Sequence, residues 1–234
     1  MNTTAVQDVL VVGASRGLGE ALVEEYAGRG AHVVATVRDD RPSPLLDFAG
    51  RNPGSVEVEH VDITDRERLA GLRDRLSARR FDLLWVVAGV SLADQQAVGV
   101  DIADDDFDLM MRTNVLGVMR AVETLQDLVD PEGTIAVMSS GQGSVADNTK
   151  GGFEVYRATK SALNQMFRSY AVRHRDDRRA LLLMAPGWVK TELGGPNAVL
   201  GIEDSIPPLV DAVDAERGTP GLRYLDRFGK AVNW

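Results

Sequence analysis

The stretch "VLVVGASRGLGEALVEEY", residues 9–26, is an apolar run, then a glycine-rich turn, then an amphipathic segment. Val9–Val12 read as a buried strand. Leu18, Leu22, Val23 and Tyr26 recur at helical spacing and form one apolar face. Between them each glycine has a physical task. Gly13 lets the strand turn sharply, Gly17 lets backbone N–H groups approach a phosphate, and Gly19 lets the helix pack closely on the sheet. A pyrophosphate then sits at the positive end of the helix. A plain strand–turn–helix connection with convenient glycines is the bland alternative. The strand before and the helix after favour a dinucleotide site.

The rest of the chain repeats this alternation. Apolar runs "HVVATV" (32–37), "VEVEHV" (56–61), "DLLWVVAG" (82–89), "TIAVMSS" (134–140), "ALLLMAP" (180–186) and a weaker "GLRYLD" (221–226) follow the first one. Amphipathic segments lie between them near 17–29, 65–78, 103–129, 154–175 and 203–215, with a shorter one near 43–50. The pattern predicts an α/β fold, a doubly wound, mostly parallel seven-stranded sheet with helices on both faces. No linker or repeat interrupts it, so residues 1–234 read as a single domain. Thr64 and Glu67 fit a capping box at the third helix. The carboxylates of "ADDD" (103–106) suit a helix N-terminus. They lack the glycine turn of a calcium loop, so no metal is expected there.

Composition narrows the function classes. The net charge of −9 argues against a nucleic-acid or anionic-membrane partner. The absence of cysteine removes disulfides, thiolate metal sites and thiol nucleophiles. The N-terminus shows no basic leader, and the longest apolar run has a strand's length, so the chain reads as cytoplasmic.

The second strand speaks to which dinucleotide binds. An acid at its end would hold a ribose 2′-hydroxyl, whereas arginine accommodates a 2′-phosphate. Here Thr36 stands where the acid would be and Arg38 follows, with Arg16 in the glycine loop as a second cation. This favours NADP(H). Asp62, ending the third strand, can meet the adenine with Ile63 beside the ring, or simply flank a helix.

Ligands of such sheets lie beyond the carboxyl ends of the strands. Those ends carry Ala88-Gly89, Ser139-Ser140 and "APGWVKT" (185–191). Asn114 sits within an apolar helical pattern, either bonding neighbouring backbone or holding a water. Tyr156 and Lys160 are spaced i, i+4, on one helical face. A nearby ammonium would lower the phenol's pKa and make it a proton donor to a carbonyl oxygen, with Ser140 hydrogen-bonding the same oxygen.

Together, "GASRGLG", "VDIT", "AG" at 88–89, "TNVLG", "SSGQG", "YRATK" and "PGWVKT" resemble the short-chain dehydrogenase/reductases along the whole length. "SSGQGSVADN", "GWVKTELGGPNA" and "GKAVNW" resemble the branch of sniffer-type carbonyl reductases and C-factor proteins. The resemblance implies a Rossmann fold binding NADP(H) and a tetrad of Asn114, Ser140, Tyr156 and Lys160. Lys160 would also hold the nicotinamide ribose, Asn114 a proton-relaying water, and Thr191 the carboxamide. Gly13, Ser15, Arg16, Gly17, Leu18, Gly19, Arg38, Asp62, Ile63, Ala88, Gly89, Pro186, Gly187 and Val189 would line the dinucleotide. Ser140 lies farther from Tyr156 than the family's commonest spacing, which leaves Ser144 as a rival. Residues 192–204 and 143–155, with Val145, Asn148 and Phe153, would wall the substrate. Trp188 faces the nicotinamide or packs as core, and Trp234 is docked or exposed. The expected activity is reduction of a ketone or aldehyde, or its reverse, in a homodimer or homotetramer. The alternative is a dinucleotide-binding signalling protein.

Overall fold

The computed structural model describes residues 7–92 and 98–234. Residues 1–6, which carry part of the N-terminal leader reading, lie outside it. β1 (Asp8–Val12) leads through the glycine turn into α1 (Gly17–Gly28). β2 (His32–Val37), α2 (Pro44–Arg51), β3 (Val56–His60), α3 (Arg66–Arg75) and β4 (Phe81–Val86) follow. After β4 come α4 (Asp104–Met111), a π-helical turn (Arg112–Gly117) and α5 (Val118–Leu125). The last third holds β5 (Val129–Met138), α6 (Glu154–Arg173), β6 (Ala180–Ala185), α7 (Ile206–Ala215) and β7 (Gly221–Asp226).

The seven strands form one sheet in the order β3-β2-β1-β4-β5-β6-β7, with every neighbouring pair parallel. Both faces are covered, which is why the strands read as unbroken apolar runs. Leu10 and Val12 of β1 join a core with Leu69 of α3, Val122 of α5 and Phe167 of α6. Val9 and Val11 join a second core with Leu22 of α1, Leu45 of α2 and Val210 of α7. The strand order reverses between β1 and β4. The crevice at their carboxyl ends is the place such sheets offer a ligand.

Three local expectations are amended. α3 is capped by Asp65, which accepts from the Glu67 and Arg68 N–H groups at 2.9 and 3.1 Å. Thr64 instead donates its hydroxyl to Asp62 at 2.7 Å, because the Asp65 carboxylate stands one residue nearer the helix. The helix expected over 103–129 is broken by the π turn, and a π turn inside a helix commonly marks a functional position. β5 starts earlier than expected, and its pairing with β4 shifts register between Phe81 and Leu83.

Gly19 is where the turn is least forgiving. A Cβ there would stand 2.2 Å from the Gly13 carbonyl oxygen and 2.9 Å from the Ala14 Cα, both backbone atoms. Gly19→Ala is therefore expected to lower the unfolding free energy by about 2 kcal/mol or more, read as a fall in urea midpoint at constant slope.

Candidate active site

The crevice is built from glycine. Gly13 has φ +93°, and a Cβ on it would lie 2.6 Å from the backbone of Ala88, so the ends of β1 and β4 touch. The Thr36 hydroxyl accepts from the Gly13 N–H at 3.1 Å, and its carbonyl accepts from Ala14 N–H at 2.8 Å. Thr36 is therefore a buried brace for the turn. α1 begins at Gly17 (φ +62°) after Arg16, whose side chain does not cap it, while the Glu20 carboxylate accepts from the Gly17 N–H. The first turn lies at the positive end of the helix, where a phosphate group is favoured.

On the far side of the sheet switch, Gly89 makes room for two polar groups. A Cβ on it would be 3.3 Å from Asn114 Oδ1 and 3.7 Å from Lys160 Nζ. Asn114 is fully buried. Its Oδ1 accepts from Val90 N–H at 2.7 Å. Its Nδ2 donates to the Val90 carbonyl at 2.8 Å and the Thr159 hydroxyl at 3.2 Å. The side chain thus pairs with Val90 as a strand neighbour would, tying the end of β4 to the π turn and α6. One lone pair on Oδ1 is left for a water.

Lys160 is buried, and its ammonium donates to the Met138 carbonyl at 2.9 Å. Burial pushes its pKa down to about 8. Tyr156 lies one turn earlier, its ring centroid 5.7 Å from Lys160 Nζ. The expectation that Lys160 lowers the phenol's pKa is not met. Burial dominates and pushes the phenol up to about 12, with Ser140 pulling it back in part and Tyr224 adding to the rise. The reason is that the apolar surroundings penalise the phenolate while the ammonium is spent on a carbonyl.

Of the two serines, Ser140 is the one facing Tyr156. Its hydroxyl also accepts from Gln142 N–H at 3.1 Å, opening the short 3-10 turn Gly141–Gly143. Ser144 is buried, and its hydroxyl accepts from Asp147 N–H at 3.1 Å, so it serves the loop.

The other residues expected at the cofactor have these surroundings within the protein. Ile63 is buried in the core, where its side chain packs 3.0 Å from the Cβ position of Gly117. Asp62 caps its own turn through Thr64 N–H (2.8 Å) and hydroxyl. Thr191 accepts from Gly194 N–H at 3.0 Å, within its own loop. Pro186 accepts the Ser205 hydroxyl at 2.8 Å, and buried Val189 pairs with Leu200 in a short bridge. Arg16 is exposed and ion-paired with Glu192 at 2.6 Å. Gly17 approaches this same segment, its Cβ position 3.5 Å from Thr191. Ser15 and Leu18 are half-buried beside the turn, as Ala88 and Gly89 are at the end of β4. The left-handed Gly187 carries the chain out of β6 toward Trp188.

One expected substrate wall touches the residue that leads into the other. Phe153 packs edge-on to Trp188, centroids 6.2 Å apart at 85°. Trp188 is neither core nor free, since its indole N–H donates to the Gly194 carbonyl at 2.8 Å. Val145 is exposed on its loop, while Asn148 accepts from Gly151 N–H at 3.1 Å. Tyr224 is the site residue the sequence reading missed. It sits on the weak last strand, and its hydroxyl donates to the Ser140 carbonyl.

The model of the short-chain dehydrogenase family matches residues 7–198. The chain belongs to the short-chain dehydrogenases. A solved family structure from Burkholderia multivorans with bound NADP is 49% identical, covers 98% of this chain and 100% of its own, and superposes with a TM-score of 0.96. A carbonyl reductase from Pseudomonas aeruginosa PAO1 in complex with NADP is 33% identical over 98% of this chain and all of its own, with a TM-score of 0.89. The C-signal protein of Myxococcus xanthus is 33% identical over 65% of this chain and 92% of its own length. This short-chain dehydrogenase therefore shares fold and sequence with NADP-bound structures, and sequence with a protein named for signalling.

Proposed function

We propose that the protein is an NADP(H)-dependent oxidoreductase that reduces a ketone or aldehyde to an alcohol, or runs the reverse. The observation that carries this is the meeting of Tyr156 and Ser140 beside a glycine-lined crevice backed by Lys160. The crevice suits a dinucleotide: the first turn of α1 presents the positive end of a helix to a phosphate, and Gly89 keeps the space in front of Asn114 and Lys160 free of a side chain. When bound, the nicotinamide supplies or accepts the hydride.

The chain's own residues handle the oxygen. Tyr156 is protonated across the physiological range, so its phenol donates to a carbonyl oxygen as that oxygen gains charge. Ser140 hydrogen-bonds the same oxygen. Lys160 uses one of its three N–H donors on Met138 and has the others for ribose hydroxyls. Asn114 fixes the backbone around it.

Arg38 supports the choice of NADP(H). Its guanidinium is exposed just beyond β2 and only 3.5 Å from Asp39. Asp39 is held instead by Arg41 at 2.7 Å, which keeps its carboxyl well below the usual range. Asp40 pairs with His60. Arg38 is thus available to a 2′-phosphate. Arg38→Asp is expected to move the NADPH/NADH ratio of kcat/KM toward NADH by about 100-fold, since a charge-assisted contact is replaced by repulsion. An unchanged ratio would remove the assignment.

The test of the activity is NADPH consumption over a panel of small ketones and aldehydes. Likeness to C-signal favours a second reading, an NADP(H)-binding signalling protein. Tight NADPH binding with no turnover on any carbonyl would select it. No described helix is long and apolar enough to cross a membrane. A cytoplasmic location is part of the proposal. Self-association is part of the proposal: α6 buries Leu163, Phe167 and Tyr170 inward yet leaves Met166 and Val172 exposed, with Met166 sharing a surface cavity with exposed Leu116. That is the two-sided helix expected of a homodimer or homotetramer.

A further inference from the structure

The chain after β7 turns back on the site. Asp226 accepts from Phe228 and Lys230 N–H groups at 2.8 and 2.9 Å, and Gly229 takes φ +74° in the turn. The returning segment pairs antiparallel with β7 through Leu225 and Ala231, and Val232 N–H donates to the Tyr224 carbonyl at 2.9 Å. This brings Trp234 against Tyr224, ring centroids 5.6 Å apart, with the Arg168 guanidinium 4.7 Å over the indole.

Both ends of this arrangement grip the loop that carries Ser140. Buried Tyr224 donates its hydroxyl to the Ser140 carbonyl. Farther along, Ala146 N–H donates to the Trp234 carbonyl at 3.0 Å, and the Asn233 amide donates to Asp147 Oδ1 at 2.9 Å. Asp147 N–H in turn donates to Ser144. The loop between is short and turns on the Ser140 hydroxyl itself, so its two ends decide where that hydroxyl points.

We propose that Tyr224, Asn233 and Trp234 are positioning residues that hold the Ser140 hydroxyl against Tyr156. Trp234 is 40% exposed, so its contribution to the core is small and its effect is through the loop. The inference rests on the reductase reading above. A displacement of a catalytic group by a fraction of an ångström is enough to slow catalysis by tenfold or more.

The experiment is a double-mutant cycle between Trp234 and Ser140, with carbonyl reduction and NADPH binding measured separately. Trp234→Ala is expected to lower kcat about tenfold and leave the NADPH Kd within about twofold, because Trp234 packs on Tyr224 and Arg168 and bonds Ala146, none of them in the glycine turn. Trp234→Phe keeps an aromatic ring on Tyr224 and should recover most of the loss. In the Ser140→Ala background, Trp234→Ala should change kcat by less than about twofold. Asn233→Ala, which leaves the indole in place, should show a smaller loss, about threefold, with the same dependence on Ser140. It carries the test should Trp234→Ala not fold. Wild-type kcat in Trp234→Ala, or an equal loss with and without Ser140, overturns the proposal and leaves the reductase reading standing. Absence of turnover in the wild type overturns both.

Discussion

Tyr156→Phe reduces kcat for carbonyl reduction by about 1,000-fold while NADPH affinity stays within about twofold; this is the expected result with the largest effect. A positioned proton donor contributes roughly 100- to 10,000-fold. The substitution removes one oxygen and keeps the ring, so packing around the start of α6 is conserved. Burial pushes the phenol up to about 12, so the group lost is a neutral donor near neutral pH. A fall in kcat that tracks kcat/KM is the signature of an interaction made only in the transition state. Turnover within about tenfold of wild type would mean that another group supplies the proton.

The second concerns Lys160→Met, in which activity and stability part company. Activity is expected to fall at least about 100-fold, since the ammonium stands behind Gly89 where the ribose would lie. Stability follows from burial. The ammonium has a pKa of about 8 in the folded protein against 10.5 for an unperturbed lysine, so the folded state disfavours the charge. Below pH 8 both states are charged and the full cost of burial is present. Between pH 8 and 10.5 the unfolded chain binds more protons, so stability rises with pH. Above that the cost is gone. Wild type should therefore gain on Lys160→Met by about 3 kcal/mol across this window, the energy of roughly two and a half pKa units. At pH 7 the variant keeps that advantage less about 1–3 kcal/mol for the Met138 carbonyl left without its donor. The measurement is the difference in urea unfolding free energy between the two proteins at pH 7, 9 and 10.5. A difference that does not change with pH would show that the ammonium is already solvated in the folded state.

The alternation of buried strands and amphipathic helices was legible because hydrophobic periodicity is local. So were Gly13, Gly17 and Gly19, whose need arises within one strand–turn–helix. The last strand was faint because its edge position leaves Leu222 and Arg223 half-exposed. The π turn at Arg112–Gly117 left no mark, since it depends on Asn114 reaching Val90 across the fold. The cap of α3 was misplaced by one residue because Thr64 and Asp65 are both good caps, and only Asp62 decides which is free.

At the site, Tyr156 and Lys160 could be read as a pair from type and spacing. Ser144 stayed a rival to Ser140, because the decision depends on which hydroxyl the loop spends on itself. Nor could the direction of the Tyr156 shift. Spacing puts a cation near the phenol, but burial and the Met138 carbonyl decide what that cation does.

By itself, the order of residues determined the alternation of buried strands and helices, from which a parallel sheet with a crevice at its switch point follows, and the chemical types at the strand ends, since periodicity and glycine turns are set by residues a few positions apart. Only the tertiary structure decided how those groups are oriented and protonated. Dielectric surroundings and hydrogen-bond partners come from segments far apart in the chain, such as Met138 beneath Lys160 and Tyr224 beneath Ser140.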